Sequence, residues 1–384
     1  MKFNFIFKKQ YIFLLLITLS LYLFFNKNFE FWEFLIVPEI SKSSHFAFYD
    51  FRCVQDWAVL KKIFYDKSEI IYNYYNENNG IKPFCKLNHP RIWILIGSFL
   101  NLQNETIFLF TVYILILIYI FIFFYYIKKF NSLFLIYFFF SGSSLLLIER
   151  ANNDMIIFLL FFLLTIVNFK LYKYIIYVLV VVLKIFPVFG IFYFFNDKKS
   201  FKIVIILSLI VISYFLLTYS DIILLIKNTP STGDISFGIN SIRLNIIKHF
   251  DYSLNIFIIL ILLILLTFIV YFKLVKTHLK KENFVNTDVF LLGSSIYISI
   301  FLIGTHFDYR LIFLFFTLPT LINLNNKIIK YFSLIILFLS LELHRLIYLF
   351  GFFGGVINSL AKVILFIILS LITLEILKKK LNYN

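Results

Sequence analysis

Short polar clusters interrupt an otherwise apolar chain, and they hold the residues able to do chemistry. Asp50 and Asp56 flank Arg52. A carboxylate there can act as general base on a hydroxyl, a role that competes with that of an acidic helix N-cap. Glu149-Arg150-Ala151-Asn152-Asn153-Asp154 packs two acids, a base and two amides between two apolar runs. Asn and Asp suit a hairpin turn. The Glu149–Arg150 pair, however, falls where the preceding helix should still be buried, and buried charges need partners or a ligand.

Lys184 interrupts an apolar run three residues before Pro187. Its ammonium either snorkels to lipid headgroups or binds an anion at the proline break, where freed backbone groups line a cavity. His306-Phe307-Asp308-Tyr309-Arg310 offers a base, an acid and a guanidinium, the preferred bidentate partner of phosphate. A buried histidine beside an internal Asp308–Arg310 ion pair is the structural alternative. Glu342, His344 and Arg345 repeat that chemistry. Ser236-Phe237-Gly238-Ile239-Asn240-Ser241 is a further polar patch. Cys53 and Cys85 share one polar segment, and an oxidising compartment would permit a disulfide between them. No P-loop, GxGxxG or zinc-type cysteine spacing is present. The residues predict no cofactor and no metal site, and metal dependence stays open.

The elements that carry these clusters follow from the apolar pattern. The hydrophobic fraction is 61%, charged residues make up 15%, and mean hydropathy is +0.93. A soluble chain of this size needs more charge to cover its surface. The reading is all-α: one polytopic transmembrane helical bundle over residues 1–384. The net charge of +16 sits in short Lys-rich clusters between apolar runs. That is the pattern of cytoplasmic loops, not the basic stripe of a nucleic-acid binder.

Lys2, Lys8 and Lys9 precede a first span at about 11–25, with no small-residue cleavage site after it. Further spans are expected near 105–127, 132–148, 155–170, 203–219, 253–273, 288–304, 309–323, 331–346 and 354–377. Residues 172–196, with Lys184 and Pro187 at the middle, are expected to form two short helices that meet at the outer side. These make about 12 spans of ~17–25 residues, both termini inside. A first outer loop at 39–90 and a second at 220–251 follow. In the first, Trp57, Val59, Leu60, Ile63 and Phe64 recur at helical spacing, as in a helix lying on the membrane surface. Every Lys-rich loop then falls inside, and the polar clusters named above fall outside.

The order of these clusters resembles the GT-C superfamily of membrane glycosyltransferases. Glycosyltransferase family 87, the polyprenyl-phosphate-mannose-dependent mannosyltransferases and their bacterial relatives, is the nearest likeness. The pieces are Asp50 in Phe48-Tyr49-Asp50-Phe51-Arg52, Asn88-His89-Pro90-Arg91-Ile92-Trp93, the Glu149–Asp154 turn, Leu183-Lys184-Ile185-Phe186-Pro187, and Asp308-Tyr309-Arg310-Leu311-Ile312-Phe313. The resemblance implies transfer of a sugar, with inversion, from a polyprenyl-phosphate donor to a glycan or glycolipid acceptor. The site would face outward from a bacterial plasma membrane. It implies Asp50 as general base, with Asp56 the other candidate. Arg310, Lys184, Arg150, Arg345 and His306 would hold the donor phosphate, with Asp308 in the same segment. Asn152, Asn153, Asp154 and Glu149 would hold sugar hydroxyls. An O-antigen-type polymerase is the alternative within sugar chemistry. A transporter or lipid flippase is the alternative outside it, and transport favours inverted repeats and charges at the bilayer midplane.

Overall fold

The computed structural model describes residues 9–25, 48–59, 89–195, 200–229, 236–250, 255–272 and 278–382. Most of the first polar loop, including Leu60, Ile63, Phe64, Cys85 and Asn88, lies outside them, as do residues 230–235. The described residues are mostly helical. Among these residues three helices are long and apolar enough to cross a membrane, or up to five if each bent pair is one span.

Helix α1 is Lys9–Phe25, and α2 is Tyr49–Val59, which begins at the Asp50 cluster. Helix α3, Ile92–Phe99, packs against α2. Gly97 permits that approach, because a Cβ there would lie 2.9 Å from the Val54 carbonyl oxygen. Helix α4, Glu105–Phe130, has 26 residues, about 39 Å at 1.5 Å each, enough for a ~30 Å hydrocarbon core. Its start is fixed by Asn104, whose side chain accepts from Thr106 N (2.9 Å) and Ile107 N (3.4 Å). Its end carries Lys128 and Lys129, which suit the negative end of the helix dipole.

Helices α5, Leu133–Phe139, and α6, Gly142–Arg150, form one apolar run bent by 45°. Ser141 sits at the bend, and its hydroxyl accepts from Ser144 N at 3.4 Å. Helix α7 is Asp154–Ile166 and α8 is Lys170–Leu183. The expected break follows α8 at Lys184, and the chain continues as a 3₁₀ segment, Phe186–Phe194, with Pro187 in its first turn. A proline there lacks an N–H that the helix would otherwise leave unpaired. Helix α9 is Ser200–Leu217.

The polar stretch 220–251 is largely helical rather than loop. It holds α10, Tyr219–Asn228, strand β1, Ser236–Phe237, and α11, Ile239–Phe250. Helices α12, Ile256–Val270, and α13, Thr287–Ile303, follow. Strand β2, His306–Phe307, pairs antiparallel with β1, Phe237 opposite His306. Gly238 makes this pairing possible: its φ is +113°, and a Cβ would collide with the Gly304 carbonyl oxygen at 2.1 Å.

The span expected at 309–323 is a 3₁₀ segment, Asp308–Thr317, continued by α14, Leu318–Ile322. Helices α15, Lys327–Leu341, and α16, Leu343–Phe350, are bent by 78° at Glu342. Helix α17, Phe352–Asn382, is the last. The core centres on α13, which packs against both 3₁₀ segments and α17. Phe315 fills it on the side of α4 and α7, with ring centroids 4.8 Å from Phe123 and 5.3 Å from Phe158.

Two polar zones cap these helices. At one, Lys379 Nζ donates to Glu282 O (2.5 Å), the Glu282 carboxylate accepts from Asn325 N and Asn326 N, and Lys380 pairs with Asp288. Lys9 donates to Asn131 O, and Lys173 to Tyr193 OH (2.9 Å). The other zone holds Asp50, Arg150, Asp154, Lys184 and Arg310. Helix α13, 17 residues or about 25 Å long, runs from Asp288 in the first zone to the strand bearing His306 in the second.

Candidate functional site

Each side chain of the second zone stands where a helix begins, ends or breaks. Asp50 lies in the first turn of α2. Arg150 is the last residue of α6, a position favourable to a cation. Ala151 then turns the chain with φ +42°. Asn152 closes the turn, its Oδ1 accepting from Asp154 N at 2.8 Å. Asp154 opens α7, where the helix dipole favours a carboxylate. Lys184 ends α8 in an extended conformation, and Trp93 Nε1 donates to the adjacent Leu183 carbonyl at 2.8 Å. Thus the apolar segments meet end to end, and their polar ends face one another.

The bonding has two linked parts. Asp50 Oδ2 accepts from Arg150 Nε (2.9 Å) and Asn152 Nδ2 (2.7 Å), and Asp50 Oδ1 from Arg150 Nη2 (3.2 Å). Asp154, with no exposed surface, lies between two cations: Oδ1 is 2.6 Å from Lys184 Nζ, and Oδ2 accepts from Arg310 Nε at 3.2 Å. Arg310 Nη1 also meets His306 Nδ1. The Phe186 ring supports both cations, 5.1 Å from the Arg310 guanidinium carbon and 5.8 Å from Lys184 Nζ.

Arg310 has no acceptor to offer, so His306 Nδ1 must accept and Nε2 must carry the proton. Burial, then Arg310 and Lys184, hold the His306 pKa well below its usual value. His306 Nε2 is buried beside the Ile300 main chain. The His89 ring lies tilted against Trp57, with ring centroids 5.5 Å apart. Its pKa is also depressed, by burial and then by Lys184 and Arg310. The Asn153 carboxamide is buried, and neither its oxygen nor its nitrogen has a hydrogen-bond partner among the described residues. Polar atoms left like this mark a place for water or ligand.

Of the residues singled out from the sequence, the fold joins Asp50, Arg150, Asn152, Asp154, Lys184, His306 and Arg310. Glu149 and Asn153 are buried beside them in the same segment. Asp154, expected to hold sugar hydroxyls, is the buried anion between two cations. Asp308 is taken up by Lys362 of α17, whose Nζ donates to both carboxylate oxygens at 2.7 and 2.9 Å. Arg345 pairs with Glu342 (3.0 Å) and donates to Phe140 O (2.5 Å). It therefore lies near the start of α6, about 12 Å of helix from Arg150. Asp56 is in α2, and its side chain lies outside the described residues. Cys53 is disulfide-bonded, whereas Cys85 lies outside the described residues.

Sequence reasoning missed His89, Phe186 and Lys362 as contributors. The signal for Lys362 was available: it is a lone lysine inside the last apolar run. Phe186 and His89 carried no signal beyond their place in a polar cluster.

Among the described residues, no group of three or more His, Cys, Asp or Glu is arranged to hold a metal ion. A cavity of about 250 Å³ lined by Tyr125, Tyr126, Lys129 and Thr165 lies at the Lys-rich zone, away from this cluster. The arrangement can orient a carboxylate beside two cations that share one counter-charge. It can thus take a proton from a hydroxyl and hold an anion within one locality. Comparison with protein-family models, with curated proteins and with solved structures finds no match to this chain.

Proposed function

We propose that the protein is a GT-C-type membrane glycosyltransferase that moves a hexose from a polyprenyl-phosphate donor to a lipid-linked or cell-envelope glycan. One observation carries the reading. Asp50, oriented by Arg150 and Asn152, belongs to the same polar cluster as the Lys184–Asp154–Arg310 set. Asp50 removes the proton of the acceptor hydroxyl, whose oxygen attacks the anomeric carbon from the face opposite the phosphate. The carbon–oxygen bond to phosphate breaks and configuration inverts. Arg310 and Lys184 hold the phosphate as charge gathers on it, the moment when fixed cations lower the barrier most. Arg150 keeps Asp50 aimed, and a carboxylate with three accepted hydrogen bonds still has a lone pair free for the hydroxyl.

The topology belongs to the same proposal: about twelve spans, both termini cytoplasmic, and the site on the outer side of a bacterial plasma membrane. It is supported by the grouping of Lys9, Lys173, Lys379 and Lys380 at the zone remote from Asp50, which fits the positive-inside rule.

The test is transfer from polyprenyl-phosphate mannose in membranes. Asp50→Asn should lower the rate by about 10²–10⁴, the usual worth of a general base, without altering membrane insertion. Full activity would end the base assignment and move attention to Asp56. A second reading, a transporter or flippase, is favoured by the span broken at Lys184 and the buried Asp308–Lys362 pair. Vesicles that move a prenyl-phosphate sugar across the bilayer without transferring it would select that reading.

A further inference from the structure

We infer that Lys362 is a positioning residue: by neutralising Asp308 it keeps Arg310 on Asp154 and His306. The inference rests on the reading of Arg310 as an anion-holding group. Lys362 is 3% exposed and Asp308 1%, so both are cut off from water. Lys362 Nζ bridges the two Asp308 oxygens and, among the described residues, pairs with no other acid. A lysine in an apolar helix ordinarily bends its ammonium toward the headgroups. Here it is held inward instead, and Tyr297 OH, from α13, donates to the Lys362 main-chain carbonyl at 2.8 Å.

Asp308 is two residues from both His306 and Arg310, at the start of the 3₁₀ segment that carries the arginine. That spacing, about 4 Å of axial rise in a 3₁₀ helix, leaves Arg310 the cation closest in sequence to Asp308. A buried carboxylate without its lysine is not tolerated in low dielectric. It would draw the Arg310 guanidinium from Asp154, since attraction falls only inversely with distance. Asp154 would keep Lys184 alone, and His306 Nδ1 would lose its donor. Lys362 thus acts on the site without touching it. The Lys362 charge also reaches His344 of α16, which adds no acid.

The prediction is an asymmetry. In full-length protein held in lipid nanodiscs, Lys362→Met should weaken binding of farnesyl phosphate about tenfold, within the coupling range of contacting groups. The double variant D308N/K362M should bind within about threefold of wild type, because neither buried charge is left without its partner. Combined with Arg310→Ala, Lys362→Met should add nothing further. A second readout does not depend on any substrate: the His306 imidazole titration by NMR, assigned with His306→Gln. It should move upward in Lys362→Met and return in the double variant. Lys362→Gln reads the same if Lys362→Met does not fold. If Lys362→Met or Lys362→Gln binds as wild type with an unmoved His306 titration, or if the double variant binds as weakly as Lys362→Met, the inference is overturned. If Arg310→Ala leaves farnesyl phosphate binding unchanged, the anion-holding reading fails separately, and the His306 titration alone decides the role of Lys362.

Discussion

Lysine is used in two ways at the two ends of this bundle. In the Lys-rich zone, Lys379 and Lys9 donate to main-chain carbonyls, and Lys128 and Lys129 sit at the end of α4. These are half-buried or exposed, and each serves a helix terminus. In the Asp154 zone, Lys184 is buried against a carboxylate that it shares with Arg310. The same ammonium caps a helix in one place and leaves the anion only half able to neutralise its neighbours in the other. Burial and sharing, rather than residue type, separate a charge that marks an end of the bundle from one that can hold a ligand.

The contrast should break most sharply at Asp154. Asp154→Ala removes the counter-charge of two buried cations and should cost about 3–5 kcal/mol, the order seen when one partner of a buried pair is lost. Thermal unfolding in nanodiscs would measure it, and a shift as small as that of a surface variant would deny the hub role. Next comes Arg310 against Arg345. Both are largely buried and ion-paired, yet only Arg310 contacts Asp154. On the proposed function, Arg310→Ala should raise the donor concentration needed for half-maximal transfer by about tenfold or more, given 1.5–3 kcal/mol for a hydrogen bond to a charged group. Arg345→Ala should lower thermal stability while leaving donor use unchanged. Equal effects on donor use would merge the two networks.

A smaller effect follows from the histidines. His89 and His306 have depressed pKa values in the fold. The unfolded chain therefore binds more protons as pH drops through about 6.5, and stability should fall by up to about 1.4 kcal/mol per pH unit for each of them. Melting temperatures between pH 5 and 8 should show this slope, flattened in His89→Gln and His306→Gln. The smallest effect belongs to the Lys-rich zone. Lys9→Met should change stability by less than about 1 kcal/mol, as for exposed charge contacts. A larger loss would mean that this zone, too, is built on buried charge.

Much of the bundle was legible because its signals are local. A run such as Glu105–Phe130 carries its own apolar length, an Asn104 cap and terminal lysines. The break at Lys184 could be read because Pro187 lacks an N–H wherever it stands. The bends at Ser141 and Glu342 were not legible, since neither residue breaks a helix by itself. Nor was the helical content of 220–251, where polar residues masked two amphipathic helices.

Pairing was beyond the sequence altogether. The local pattern alone dictated that charged residues be few and mostly clustered near the ends of apolar runs, with Lys184 and Lys362 standing inside them, because hydrocarbon penalises charge wherever it falls. Only the tertiary structure decided that Asp50 would meet Arg150, that Asp154 would lie between Lys184 and Arg310, and that Asp308 would turn away to Lys362. Those choices rest on which helix ends meet, over separations of up to 156 residues between Asp154 and Arg310. Coulomb attraction depends on separation in space and is blind to order along the chain. The reading of Asp308–Arg310 as a local pair failed for that reason, and the lysine that replaced it came from the last helix.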